Sequence, residues 1–199
     1  MKWINFFANY NITYYVYKIN KEDSILIYSS CKNINKSIVI IHGSIYITKN
    51  FTNQKKLILA ILSKNDIFSL KSKSKKFYYK LIALEETYFI SFNLVDLKKF
   101  KSNDCFLFNI IISYENTLSK YEIMNEILSQ KYAHNRVTQL ILFLCLEFGI
   151  ISKKKIYIPF KLSQKKLAII SNTSTVAINK NIKYYNKKSI YIQNIFNLN

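Results

Sequence analysis

The sequence predicts an α+β chain: an antiparallel β-roll or sandwich, one long helix, and a helix-turn-helix flanked by short strands. Three observations carry this. Residues 10–95 hold short runs of β-branched and aromatic residues. Residues 103–132 hold an apolar stripe at alternating steps of four and three. Leu162–Lys188 reads as two short amphipathic segments about the polar turn Ser171-Asn172-Thr173. The implied domains are 1–102 for the strands, 103–132 for the long helix and 133–199 for the remainder.

The clearest strands are Thr13–Ile19, Ser24–Tyr28, Ser37–Ile41, Ser44–Thr48, Leu57–Leu62 and Thr87–Phe92. Between the third and fourth lies His42-Gly43, and glycine suits a tight strand connection. Many short strands at this spacing argue for an antiparallel roll or sandwich. Asp96–Phe100 reads as a helical turn. From Asn103 to about Tyr132 the stripe runs Leu107, Ile111, Tyr114, Leu118, Tyr121, Asn125 and Leu128, a coiled-coil seam of three heptads. Asn125 is the polar member that can fix register between two parallel helices. Such a seam predicts a homodimer; the alternative is a helix packed on its own β-domain. A second helix, Asn135–Phe148, is strongly apolar and stops at Gly149, a plausible C′ glycine. Lys155–Phe160 and Ser189–Phe196 are strand-like and flank the helix pair, as in a winged helix-turn-helix.

The net charge is +19, with a single arginine, Arg136, among thirty basic residues. Abundant Lys, Asn, Ile, Tyr and Phe look like AT-rich coding, as in a plastid or reduced bacterial genome, which accounts for part of the charge. The asymmetry survives that discount, because no Asp or Glu follows Glu147 while residues 150–199 carry ten lysines. A polyanion partner follows, nucleic acid ahead of a membrane surface. Cys31, Cys105 and Cys145 are far apart and form no CxxC, which fits reduced intracellular thiols. No apolar run reaches the roughly 18–20 residues of a membrane span, and no readable export or import signal opens the chain. The protein is expected to work where it is made, away from a membrane.

In the helix pair, Leu167, Ala168, Ile170, Ile178, Ile182 and Tyr185 form the inner face, with Ala168 small enough for two helices to cross. Asn172 stands where the turn needs positive φ, and Thr173 or Ser174 can cap the second helix. The outer face, Thr175, Val176, Asn179, Lys180 and Lys183, would enter a major groove of double-stranded DNA. Thr175 and Asn179 could meet base edges, Lys180 a guanine or phosphate, and Lys183 a phosphate. Ser163 and Ala177 complete the predicted DNA-binding set with Ser174. The alternative is an ordinary α-hairpin with a solvated lysine face.

On these residues the chain resembles the Crp/Fnr transcription regulators, and within them the NtcA branch of cyanobacterial nitrogen regulators, which some algal plastid genomes also encode. Glu122–Leu128 (EIMNEIL), Arg136-Val137, Phe143–Cys145, Glu147–Gly149, Lys161–Ser163, Leu167-Ala168 and Ser171–Val176 carry the likeness, joined by Asn65–Leu70 (NDIFSL). The resemblance implies a cyclic-nucleotide-binding-type (cupin-like) β-roll, a dimer helix and a winged helix-turn-helix. It implies a nitrogen-related regulator on a palindromic promoter site, with RNA polymerase a candidate partner and the plastid stroma the compartment if plastid-encoded. It also implies 2-oxoglutarate as effector, for which Lys76, Lys80 and Glu122 are the candidate contacts. The chain departs from the family at Thr175 and Lys180, where arginines are usual, at Thr117 and near Lys76, where ligand-binding arginines are expected, and in a cassette shortened to Lys71–Lys76.

Enzyme chemistry is not expected. His42 and His134 have no neighbouring Cys or Asp pattern for a metal or a catalytic dyad, and are read as a hairpin residue and a cap or hinge residue. Glu85-Glu86, read as strand residues, would point to opposite faces. A degenerate regulator that binds nucleic acid without sequence preference, or a protein partner, remains the second class. An RNA-binding surface would need Tyr78 and Tyr79 exposed.

Overall fold

Strand alternation sorts the first part of the chain into an inside and an outside. The computed structural model describes residues 2–28, 36–69, 76–99, 105–152 and 155–187. They form two compact units, Met1–Glu122 and Ile123–Asn199, whose boundary falls within one helix.

In the first unit, helix α1 (Lys2–Asn9) precedes strands β1 (Tyr14–Ile19), β2 (Ser24–Tyr28), β3 (Lys36–His42), β4 (Ile45–Phe51), β5 (Lys56–Leu62), β6 (Ile67–Ser69), β7 (Phe77–Ala83) and β8 (Thr87–Asn93). They build two antiparallel sheets, in the orders β1-β8-β3-β6 and β2-β7-β4-β5. Ile38, Ile40, Phe68 and Phe89 of one sheet meet Ile45, Ile47, Ala60, Leu62, Leu81 and Ala83 of the other in a buried interior. Val39, Ile67, Ile90 and Phe92 emerge on the far side of the first sheet and pack under Trp3, Phe6 and Phe7 of α1. The continuous apolar run of β3 is therefore buried on both faces, as such runs are.

Helix α1 and strands β6 and β7 are absent from the sequence expectation. β6 is too short to show a period, and β7 mixes tyrosines and a lysine into both faces. Tyr79 enters the roll edge-on to Phe68 at 5.2 Å, and burial pushes its phenol pKa up. Tyr78 stays on the other face against Tyr28. The pair is thus split by the pleat and offers no joint stacking surface. Glu85 and Glu86 lie in the β7–β8 bend and not in a strand: Glu85 accepts from Ser44 Oγ at 2.7 Å, and Glu86 pairs with Lys18 at 2.9 Å. Gly43 adopts φ +84°, and a Cβ there would press on Glu86 O and Thr87, so glycine is needed on both counts.

After a 3₁₀ segment (Leu94–Lys99) comes α2 (Cys105–Ser129). Its buried residues are Ile110, Ser113, Thr117, Lys120, Met124 and Ile127, also at steps of three and four, but in a different register from the predicted seam. Leu107 and Tyr114 lean on the α1-side cluster, Tyr121 leans on the roll interior, and Leu128 is half-buried. Only Ile111, Leu118 and Asn125 of that set are exposed.

A polar lock explains the shift. Lys120 Nζ lies 2.6 Å from Asp66 Oδ2, with side chains only 8 % and 3 % exposed, and donates to Ser63 Oγ at 2.7 Å. Ser63 N–H donates to the same carboxylate at 2.6 Å. One turn earlier, Thr117 Oγ1 accepts from Ile67 N–H at 2.9 Å. Asn65, at φ 71°, shapes the loop between, and its Oδ1 accepts from Trp3 Nε1 at 3.1 Å.

The second unit continues α2 into α3 (Ala133–Phe148), the hairpin β9 (Ile150–Ser152) and β10 (Lys155–Tyr157), α4 (Gln164–Ile170) and α5 (Thr175–Lys187). Val137, Leu140, Ile141, Leu144 and Phe148 of α3, with Ile158, Phe160, Leu162, Leu167, Ile170, Ile178 and Ile182, are among its buried apolar residues. The predicted strand to Phe160 stops at Tyr157 because Pro159 cannot donate to a ladder. Its sequel is still used, since Phe160 sits edge-on to Phe148 at 5.2 Å. Gly149 ends α3, but at φ −71° and not in the left-handed conformation of a C′ glycine. It is required for space: a Cβ would collide with Cys145 O and with Ile156 Cγ2. The predicted strand Ser189–Phe196, Cys31 and residues 71–75 of the shortened cassette lie outside the described residues.

The lock makes a quantitative prediction. Lys120→Met should destabilise the chain by about 3 kcal/mol, because it leaves a buried carboxylate without its counter-charge. Lys120→Met combined with Asp66→Asn should recover much of the loss. Urea unfolding of the three proteins checks this, and two additive losses would show that the residues do not act as a pair.

Candidate nucleic-acid interface

The helix-turn-helix is assembled from short-range hydrogen bonds. Ser163 caps α4, its Oγ accepting from Lys166 N–H at 3.2 Å. At the far end Ser171 Oγ donates to Leu167 O at 2.7 Å and meets Thr173 Oγ1 at 2.8 Å. Asn172 takes φ 48°, in the left-handed region that asparagine tolerates best after glycine. That reversal lets Thr173 N–H reach Ala168 O at 2.9 Å. Ser174 then caps α5, its Oγ accepting from Ala177 N–H at 3.2 Å. Each cap of this kind contributes about 1 kcal/mol.

Ile178 and Ile182 are fully buried, while Thr175, Val176, Asn179, Lys180 and Lys183 are exposed on the opposite side of α5. The structure thus gathers five of the eight predicted contact residues on one free face. Ser163 and Ser174 are exposed at the two helix starts. As cap acceptors, they keep a hydroxyl proton to donate. Ala177 is half-buried, which restricts it to the edge of that face. Tyr185, predicted on the inner face, has no described side chain. Neither α4 nor α5 has an acid in its first turn, so nothing on these helices offsets Lys180 and Lys183.

Three residues missed as site builders hold this face in place. Asn181 is buried on the inner side of α5, where its Nδ2 donates to Ala177 O at 2.8 Å and its Oδ1 accepts from His134 Nδ1. His134, read as a cap or hinge, is instead an α3 side chain seated on α5, edge-on to Tyr184 at 5.7 Å. A polar residue set among Ile178 and Ile182 was the available signal for Asn181. Arg136 bridges most widely. Its Nε donates to Ser171 O (3.1 Å), its Nη2 to Asn172 O (3.2 Å), and its Nη1 to Gln130 O (2.7 Å) and Lys131 O (3.3 Å). One guanidinium therefore ties the link between α2 and α3 to the helix-turn-helix turn. A lysine ammonium has no planar fork with which to do the same.

The candidate effector residues are dispersed. Lys76 is exposed in the turn before β7. Lys80 alternates with Tyr79 and Leu81, which enter the roll, so it faces the other side of the sheet. Glu122 is exposed on α2. Thr117, where the resemblance expects an arginine, is committed to Ile67 N–H and to Ser113 O at 2.9 Å. Among the described residues no group of three or more His, Cys, Asp or Glu is placed to hold a metal, and no helix is long and apolar enough to cross a membrane.

No protein-family model matches the chain. Among curated proteins it is similar to "Putative HTH-type transcriptional regulator ycf28" of Porphyra purpurea, 27 % identical over 198 residues, covering 96 % of this chain and 80 % of that one. Among solved structures it is similar to FixK2 from Bradyrhizobium japonicum, with TM-score 0.66, 15 % identity and coverage of 90 % of this chain and 87 % of that one. A CooA mutant from Carboxydothermus hydrogenoformans gives TM-score 0.65 at 16 % identity, over 88 % and 77 %. A transcriptional regulator of the CRP/FNR family from Thermus thermophilus gives 0.63 at 13 % identity, over 87 % of each chain. The Porphyra purpurea relative and the Thermus thermophilus protein are both named as transcriptional regulators. Over both the strand unit and the helix-turn-helix unit, then, the chain resembles the Crp/Fnr regulators and has their fold.

Proposed function

We propose that the chain is a homodimeric, sequence-specific DNA-binding transcription regulator of the Crp/Fnr type. The observation that carries this reading is the exposed face of α5, with Thr175, Asn179, Lys180 and Lys183 set on a helix whose N-terminus is capped and whose inner face is fastened. Two copies of α5 in successive major grooves would stand about 34–36 Å apart on a palindromic site. The lysines supply phosphate attraction, and Thr175 and Asn179 supply most of the base discrimination. The helix-turn-helix named in the Porphyra purpurea relative supports the reading. That relative and the AT-biased composition also support a plastid stroma location, and RNA polymerase would be the machinery served.

The dimer surface we assign is the exposed side of α2. It carries Phe108, Ile111 and Leu118 at 65 %, 53 % and 59 % exposure, apolar groups a lone helix would not leave in water. Asn125 on the same side can set register. A nitrogen-related target set is the finer reading that the NtcA resemblance carries. Against 2-oxoglutarate control stand Thr117, tied to β6, and Lys80, turned from the interior. These favour a regulator that acts without that effector.

Four measurements test these statements. Lys180→Ala with Lys183→Ala should flatten the slope of log K against log salt by about 2, one unit per lost phosphate contact. Uniform footprints along promoter DNA would instead reveal binding without sequence preference. Ile111→Glu with Leu118→Glu should give a folded monomer by sedimentation, with weakened DNA binding. Calorimetric titration with 2-oxoglutarate should give no saturable heat; a saturable heat would establish a site that recruits cations such as Lys76.

A further inference from the structure

The second unit is strongly basic, with twelve Lys and Arg residues, yet it has two acids, Glu126 and Glu147. Both line the same open groove, of about 450 Å³, between the last turns of α2 and α3. Its apolar walls come from Ile123 and Ile127 on α2 and from Leu142 and Leu146 on α3, each pair at i, i+4 spacing. Leu142 and Leu146 are 56 % and 87 % exposed. Just past α3, Ile150 and Ile151 are also exposed, at 58 % and 80 %. Such a surface departs from the polar exterior of a monomeric domain.

We infer that this groove is the docking site for a protein partner presenting a basic amphipathic helix. Charge complementarity makes the choice. A groove that concentrates the acids of a basic unit repels phosphate, so neither DNA nor an anionic membrane fits it. A second copy meeting here about a two-fold axis would bring four carboxylates together around an apolar seam. A helix with leucine-like anchors at i, i+4 fills the walls, and its lysine or arginine flanks face Glu126 and Glu147. This surface is distinct from the α5 face, so the chain can hold DNA and a protein at once.

The probe is a synthetic amphipathic helix of leucine and lysine, fluorescently labelled and titrated with the full chain, beside a counterpart with glutamate for lysine. The chain's net charge of +19 disfavours general capture of the lysine peptide, and the paired variants report whether it sits in this groove. The expected result is saturable, one-site binding of the lysine peptide. It should weaken about tenfold in Glu126→Gln with Glu147→Gln, and further in Leu146→Ser. Circular dichroism and DNA affinity should stay unchanged in all these variants. Equal binding of the lysine peptide to wild type and variants, or a matching loss of glutamate-peptide binding in the Glu126→Gln with Glu147→Gln variant, overturns the inference. Loss of self-association by sedimentation in Leu146→Ser also overturns it, in favour of a second copy as occupant.

Discussion

The buried Lys120–Asp66 pair is the constraint on which the first unit depends. An isolated charge in such a place would cost several kcal/mol, so each partner is tolerable only while the other is in place. The pair, with Ser63 and Thr117, fixes both the axial position and the rotation of α2 on the roll. Once that rotation is set, Tyr114 and Tyr121 must turn inward, and Phe108, Ile111 and Leu118 must turn outward. The side of α2 available to a partner is therefore decided by a polar contact and not by the helix's own hydrophobicity.

The second unit solves a different problem, a tight turn in a chain nearly without glycine. Asn172 takes the left-handed conformation, and Ser171, Thr173 and Ser174 satisfy the backbone groups that the turn exposes. Asn65 does the same for the loop leading into β6. Asparagine substitutes for glycine at some cost in strain, offset here by side-chain bonds such as Trp3 Nε1 to Asn65. At Gly43 and Gly149 a side chain has no room, and glycine stays.

What the sequence revealed follows from the range of the forces involved. The helix-turn-helix was legible because its signals are local: two serine caps, an asparagine at the reversal, and Ile178 and Ile182 on one face. The strands with clean alternation, such as Ser24–Tyr28, were legible for the same reason. The orientation of α2 was not. Two registers of three-and-four spacing coexist on it, and the one buried against the roll is not the more apolar one. The buried register contains Ser113, Thr117 and Lys120, whose burial makes sense only once Ile67, Ser63 and Asp66 are beside them. Arg136 and His134 were invisible as site builders because their partners in the helix-turn-helix lie 35 to 47 residues away.

Arg136 has a mechanical consequence. Its guanidinium grips carbonyls in the link between α2 and α3 and at the bend before α5 simultaneously, which couples those two points. A rotation at the α2–α3 link would carry the bend before α5 with it. The reading helix then works as the end of a lever. A small angular change at its pivot decides where Thr175 and Asn179 arrive, while every bond within the helix-turn-helix stays as it was.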